Sequence, residues 1–570
     1  LAELRFNLLN GRDQYIGFHA LMADPAVKNL PPFHRAVKSA RVHRHLAPFF
    51  FLMLFTTTLA AQPAASSLYG RATSAGRPLA GVTITVASPA LLGVRSTTSG
   101  AGGDYFLRAL PPGIYDVEFA RTGFQTVLRR VRLQLADTSR LDTEMAPSDV
   151  EETVTSTTVM PTLLESPQLL TNIDAATVDR LPVGRSIHER LALAPGLPAP
   201  SGLSLVDGVL LDNTVEESIA ETTVLTGAIS AEYASADGGL VATITRPGGN
   251  DLGGSLRISW IEDRDTLLEG AAGGAVIEDR VWFFGAAAEG KSVAKIAADV
   301  VENHTLTLTH HDQLSGRYDG VIGSAGTIEA LAAPDQWSLK SHSFISTPAA
   351  GSHSVVAGAE DAGDASDAVF FINDVWHIGG QWSLNLGVRH GDRTEPRLGG
   401  VYDFRGDGEH RLGASWSRYG AADEATVTYG WRFGTGGYAR ADYIRRDAEE
   451  TTDRIQLHGS YDLFRLFRFG GHYTASVRGD LDVRRRAAGW FWYEPPMGAG
   501  RMTLAILQRY LASETETFFS TDLSAMYAYP VKSVMTFAKI DLVNAFDRPP
   551  FTRDDLAVAR TWRASMGVKF

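Results

Sequence analysis

Residues 381–389 read QWSLNLGVR. On an extended strand Trp382, Leu384, Leu386 and Val388 share one face, while Ser383, Asn385, Gly387 and Arg389 share the other. The same alternation returns, with varying strength, in HTLTLTH (304–310), EATVTYGWRFG (424–434), TDRIQLHGSYDLF (452–464) and HYTASVRGDLDVR (472–484). Segments of this kind fill residues 251–570, each closed by Gly, Asp, Arg or Pro. A lipid bilayer accepts alternating strands only in a sheet that closes on itself, because an open edge would leave backbone N–H and C=O groups unpaired in hydrocarbon. The repetition therefore reads as an antiparallel transmembrane β-barrel.

Composition hides this. The chain has 570 residues, 44% hydrophobic and 21% charged, which at first sight suits several soluble domains. An alternating barrel has the same average, since it accumulates no run of ~20 apolar residues. The absence of Cys excludes a disulfide scaffold, a thiolate enzyme and a Cys-ligated metal centre. With 53 basic against 65 acidic residues and a net charge of −12, there is no electrostatic footprint for nucleic acid.

The strongest apolar run, LAPFFFLMLFTTTLAA (46–61), follows Lys38, Arg41 and Arg44 and ends in small residues. Residues 38–61 thus read as a secretory signal peptide. Residues 1–37 lack sustained periodicity and read as an upstream extension outside the native fold.

Residues 62–147 break into short strands and turns of a β-sandwich. Val82, Ile84 and Val86 face one way and Thr83 and Thr85 the other; Tyr115, Val117 and Phe119 oppose Ile114, Asp116 and Glu118. Gly70, Gly81-Val82, Gly103-Asp104-Tyr105-Phe106, Leu110-Pro111-Pro112-Gly113-Ile114-Tyr115 and Gly123-Phe124 resemble the carboxypeptidase regulatory-like domain, a transthyretin-like sandwich without peptidase activity. The Gly and Pro residues of that pattern are read as structural.

Residues 148–250 hold a short helix from Ile187 to Ala192, ended by Pro195, and a strand at 240–246 with Leu240, Ala242 and Ile244 opposite Val241, Thr243 and Thr245. Leu181-Pro182-Val183-Gly184-Arg185, Leu191-Ala192-Leu193-Ala194-Pro195-Gly196, Val206-Asp207-Gly208, Ala231-Glu232-Tyr233, Gly238-Gly239 and Thr245-Arg246-Pro247-Gly248-Gly249-Asn250 resemble, in order, the small α+β plug of TonB-dependent outer-membrane receptors, in particular the Oar-like group. The interval from Pro200 to Val206 is shorter than in related plugs. The resemblance implies that an extended segment before the plug recruits a TonB-type energising protein by adding a strand to its sheet. Glu152, Thr153, Val154 and Thr155 are the candidate, as an extended stretch at a domain boundary, free to remain unpaired.

In the last strand Trp562, Ala564, Met566, Val568 and Phe570 share a face. Trp562, Met566, Val568 and the terminal aromatic Phe570 resemble the signal read by the barrel assembly machinery. The resemblance implies about 22 strands. Only about 18 alternating segments stand out by eye. Spreading residues 251–570 over ~22 strands leaves about 14 or 15 per strand with its turn, so the barrel is either compact or reduced. Clusters such as Trp282-Phe283-Phe284, Trp416 with Tyr419, Trp490-Phe491-Trp492-Tyr493 and Phe518-Phe519 read as an interfacial girdle. Arg389, Arg397, Arg411, Arg432, Arg440 and Arg484-Arg485-Arg486 read as lumen-lining or headgroup-facing.

No spacing converges on catalysis, and the expectation is a non-enzyme with no cofactor and no metal. His310-His311-Asp312 is the densest group of metal-ligand types, but neighbours on a strand point to opposite faces. The resemblance implies a cell-outer-membrane, multi-pass monomeric barrel with its sandwich and plug reached from the periplasm. It would import an unidentified solute, with TonB, the assembly machinery and outer-membrane lipid as partners and no nucleic acid. The alternative is a reduced barrel used for adhesion, assembly or sensing.

Overall fold

The computed structural model describes residues 66–570 apart from 89, 112, 134–137, 149–152, 161–165, 197–202, 235–238, 264–265, 302–303, 323–325, 348–350, 362–367, 435, 464–465, 479–483 and 550–558. The segments read as a signal peptide and as an upstream extension, with Glu152 and Gly238, fall outside these residues.

Along the strand Trp382–His390 the two faces separate as an inside-out protein requires. Trp382 and Leu386 are exposed outward, whereas Ser383, Asn385 and Arg389 are buried inward. Outward exposure of Leu256, Leu339, Ile372, Leu398, Leu457 and Ile506 repeats the pattern around the wall. The described residues close into an antiparallel barrel of 22 strands, from Gly253–Ile261 to Thr561–Lys569, and the first and last strands pair from Ser255↔Lys569 to Ile261↔Arg563. No strand has been lost. The barrel is compact because many of its turns are tight: residues 289–290, 334–335 and 420–421 each reverse the chain in two residues. Weak strands such as Gly326–Ala333, GTIEALAA, escape the eye because Ala and Gly carry little polarity contrast.

Leu386 lies at the middle of its strand, facing lipid. Leu386→Arg is expected to destabilise the barrel by about 2–4 kcal/mol. A urea titration of folding into lipid vesicles measures this, and an unchanged midpoint would mean that this face is not in the bilayer.

The aromatic clusters need a correction. Adjacent strand residues point to opposite faces, so only alternate members reach lipid. Trp282, Phe284, Tyr419, Trp492 and Phe518 are buried inside, while Trp416 and Phe519 are exposed. The outward girdle instead runs along the rim that carries Phe570, where rings meet across neighbouring strands, Trp382 tilted against Tyr402 at 4.6 Å and Phe467 stacked on Tyr493 at 4.5 Å, and along one strand, Trp431 tilted against Phe433 at 4.7 Å.

The sandwich has two sheets. One is centred on Ser66–Ser74, which pairs with Asp104–Leu110; the other runs in the order 153–160, 126–133, 113–120, 83–87, 94–98. Val82, Ile84, Val86, Tyr115, Val117 and Phe119 are fully buried between them, on the faces that alternation assigned to a core. Gly70 allows one crossing, since a Cβ there would lie 2.1 Å from the Leu141 carbonyl oxygen. Gly103, at φ +76°, turns the chain where a side chain would meet the Ala72 carbonyl.

The plug has a five-stranded sheet in the order 169–174, 219–227, 240–245, 203–206, 209–210, with the helices Ala175–Arg180 and Ile187–Arg190. Asp174 caps the first helix by accepting from the Thr177 amide, and Ser186 with Glu189 forms a capping box on the second. Leu191–Leu193 then tighten into a 3₁₀ turn before Pro195. The strand Leu240–Thr245 is central in its sheet and nearly all buried on both faces. Its polar members are satisfied internally: Thr243 and Thr222 share a hydroxyl contact of 3.3 Å, and Thr245 donates to Asp207 at 2.6 Å.

Candidate functional site: the plug seat and the cavity above it

Plug and barrel meet through buried charge. Glu217, in a 3₁₀ turn of the plug, is 1% exposed. It accepts from Arg257 Nε at 2.7 Å and Ser255 Oγ at 2.7 Å on the first barrel strand, and pairs with Arg185 of the plug at 3.0 Å. Arg185 also reaches Glu269 on the second barrel strand at 2.5 Å. Asp179, in the last turn of the first plug helix, holds Arg257 at 2.9 Å and Lys569 at 2.7 Å. Burial alone would raise the Asp179 carboxyl, but Lys569, Arg257 and Arg185 outweigh it and hold the group well below the usual carboxylate range. Glu217 follows the same logic: burial opposes, Arg185 and Arg257 prevail, and its pKa is lowered to about 2.

The plug residues singled out in the sequence occupy three places. Leu181, Pro182, Gly184 and Arg185 lie at the centre of this network: the Leu181 carbonyl accepts from Lys539 at 2.7 Å, and Gly184 leaves the space that the Glu189 carboxylate fills. Asp207 and Gly208, both at positive φ, form a tight hairpin turn between 203–206 and 209–210. The Asp207 carboxylate accepts from the Thr245 amide and hydroxyl, and meets Lys295 at 2.8 Å and His311 at 3.2 Å on the barrel wall. Burial raises it, yet Lys295 above all keeps it well below its ordinary value. His311 thus points inward while His310 ends its strand outward, so the pair does not converge. Glu232 lies 3.5 Å from Lys340 of the wall, and the Tyr233 ring lies beneath the same ammonium. Gly239 supplies a carbonyl to the Leu203 amide.

Thr153–Thr155 belong to the strand Thr153–Met160, which runs parallel to Thr126–Leu133 as the edge of the second sandwich sheet. The expectation of an unpaired segment is therefore corrected on one side: one edge of this strand is already hydrogen-bonded. At the other end of the chain, Trp562, Met566 and Phe570 are exposed outward, with Val568 on the same face of the strand that closes the barrel.

Sequence reading missed the wall charges that receive the plug. Several arginines it noted as lumen-lining hold plug carbonyl groups: Arg397 those of Ile229, Ser230 and Tyr233, Arg440 that of Leu170, and Arg486 that of Leu191. Arg454, not singled out, holds Gly196. The available signal was an Arg on the polar face of an alternating strand. Its partner is a main-chain oxygen, which has no sequence signature.

Above the network a cavity of about 420 Å³ opens towards the rim opposite Phe570. Its floor is the plug segment 182–189, and its walls carry Arg509, Asp522, Asp541, Arg563 and Trp260. Most of these charges are paired within the protein, Arg509 with Asp522 at 2.9 Å and Arg563 with Glu189 at 3.0 Å. Guanidinium and carboxylate therefore alternate around the opening, a lining suited to a polar solute that carries both hydrogen-bond donors and acceptors. Among the described residues no group of three metal-ligating side chains converges.

Residues 67–146 match the model of the carboxypeptidase regulatory-like domain. The TonB-dependent transporter Oar of Myxococcus xanthus is 25% identical over 263 residues, 36% of this chain and 25% of that protein, so the match spans about a quarter of the relative's length. Among solved structures, FpvA of P. aeruginosa, bound to a heterologous pyoverdine and iron, superposes with a TM-score of 0.58 at 11% identity over 71% of this chain and 87% of its own. The siderophore receptor PirA from Acinetobacter baumannii gives a TM-score of 0.55 at 12% identity over 70% of this chain and 98% of its own. The chain thus shares the fold of these receptors, a plug inside a closed barrel of 22 strands, and carries before it a domain that matches the carboxypeptidase regulatory-like model.

Proposed function

We propose that the protein imports a polar solute across the outer membrane, with energy delivered from the periplasm by a TonB-type partner. The observation that carries this reading is the plug itself: a separate domain fills a closed barrel and forms the floor of a cavity that faces outward. A barrel built only for adhesion or assembly has no need of a lumen-filling domain seated on hydrogen bonds and ion pairs. Transport needs a seat that can be undone, and polar contacts can exchange with water when the plug moves.

TonB contact is assigned to the strand Thr153–Met160. Its pairing with Thr126–Leu133 leaves it at the edge of the sheet, where a further strand can add. Val154→Pro removes an amide donor that a β-ladder needs and places a rigid ring at the sheet edge. The variant is expected to lose at least about tenfold in affinity for the periplasmic domain of TonB. Calorimetric titration of the purified full chain with that domain measures it, and an unchanged affinity would move the TonB contact elsewhere. A binding screen on the same preparation, with mass spectrometry of bound solutes, identifies the cargo class.

A further inference from the structure

We propose that the sandwich domain is a detachable inner stopper, seated on the inward wall of barrel strands 336–378, and that the passage beside the plug opens only when it leaves.

Phe106 of the sandwich stacks on Phe344 of the wall with ring centroids 4.5 Å apart and planes 3° from parallel. Tyr69 stacks on His377 at 4.5 Å and shares a hydrogen bond of 3.1 Å with it. Arg108 reaches His342 and Ser354, and Ser346 donates to Asp104 at 2.7 Å. All four wall residues with buried side chains here, His342, Phe344, Ser354 and His377, lie on the inward face of their strands towards the periplasmic rim. The sandwich therefore occupies lumen, next to the plug.

Its core is nonetheless its own. Among the described residues, the apolar cluster of the sandwich contains only those between Leu68 and Met145. The plug differs: its cluster continues into the wall through Ala488, Trp492, Ala505 and Leu507. Removing the plug would break a shared apolar core, whereas removing the sandwich breaks two ring stacks and a few polar contacts. Interfaces of that kind separate as units. The plug is the more firmly held closure, and the sandwich is the one that detaches first.

The space that the sandwich seals is visible. A cavity of about 130 Å³ runs between Thr245 and Pro247 of the plug and Lys295 and Arg317 of the wall, and Leu91 and Pro111 of the sandwich bound it on the remaining side. A lever is also present. Arg132, on the strand that pairs with Thr153–Met160, holds the helix-capping carboxylate of Asp174 in the plug at 3.0 Å. Force applied to 153–160 would reach the sandwich first and the plug through Arg132. That last step rests on the TonB assignment above; the stopper does not.

The test uses the full chain in a planar lipid bilayer with potassium chloride as the permeant probe and no TonB present. The Phe106→Ala/Arg108→Ala variant is expected to show release of the sandwich by a glutamate-specific endoproteinase, which can cut at Glu165 between the two domains, and roughly a tenfold rise in open time over the parent. In a second variant Phe106→Cys and Phe344→Cys should form an oxidant-dependent crosslink, unambiguous in a chain without native cysteine, and hold the current at parental level. Resistance of the barrel to cold detergent controls for folding. Three results overturn the proposal: no crosslink between positions 106 and 344, a sandwich that stays protected in the alanine variant, or a released sandwich with unchanged current. Failure of import with these results intact would overturn the transport reading alone.

Discussion

Glu217→Gln is expected to unseat the plug while leaving the barrel closed. Glu217 lies between Arg185 and Arg257 with 1% of its surface exposed, and the amide would keep the shape but lose the charge. The buried guanidinium of Arg257 and the half-buried one of Arg185 would then have lost a counter-charge, which costs on the order of 3–5 kcal/mol. Calorimetry should show the plug transition moving to lower temperature with the barrel transition unchanged. Acid should mimic the substitution. The Glu217 carboxyl titrates at about 2 in the folded protein against an ordinary 4.5, so its contribution is complete above pH 4.5 and is lost as pH falls through about 2. The parent should therefore lose plug stability across that window, and the Gln variant should lose less. A plug transition equally acid-sensitive in both would place the stabilising charge elsewhere.

Arg397→Met is expected to loosen the far side of the plug. One guanidinium nitrogen of Arg397 donates to the carbonyls of Ile229, Ser230 and Tyr233 at 3.3, 2.5 and 2.9 Å, and the group lies 4.8 Å from the centre of the Tyr419 ring. Met fills similar volume without a donor. Each buried carbonyl left unpaired costs roughly 1–3 kcal/mol, less than additively because the turn relaxes as a unit. Hydrogen exchange at the amides of 228–234 should accelerate by about tenfold or more. Unchanged protection there would show that Tyr419 and Asn373, which hold the Ile229 and Ala231 amides, suffice alone.

Much of this architecture was legible because a barrel writes a strong local pattern. In QWSLNLGVR the alternation gave both the strand and the side that faces lipid. The same rule explains the error over aromatics: Trp282 and Phe283 are neighbours in sequence and so belong to opposite faces, which a cluster read as a unit overlooks. The strand count needed the resemblance, since the small residues of GTIEALAA give little contrast. Leu181-Pro182-Val183-Gly184-Arg185 marked the plug seat, but its wall partners Glu269 and Lys539 lie in strands remote in sequence, and nothing local records that pairing. The parallel pairing of 153–160 with 126–133 was hidden for the same reason.

The two-residue turns on the outer rim have an ecological side. At 289–290, 334–335 and 420–421 the wall ends almost as soon as the strand does, so the barrel raises little protein above its rim in those sectors. A phage tail, a bacteriocin or an antibody would find few loops to grip there, and under the import reading solute capture falls to the recessed cavity.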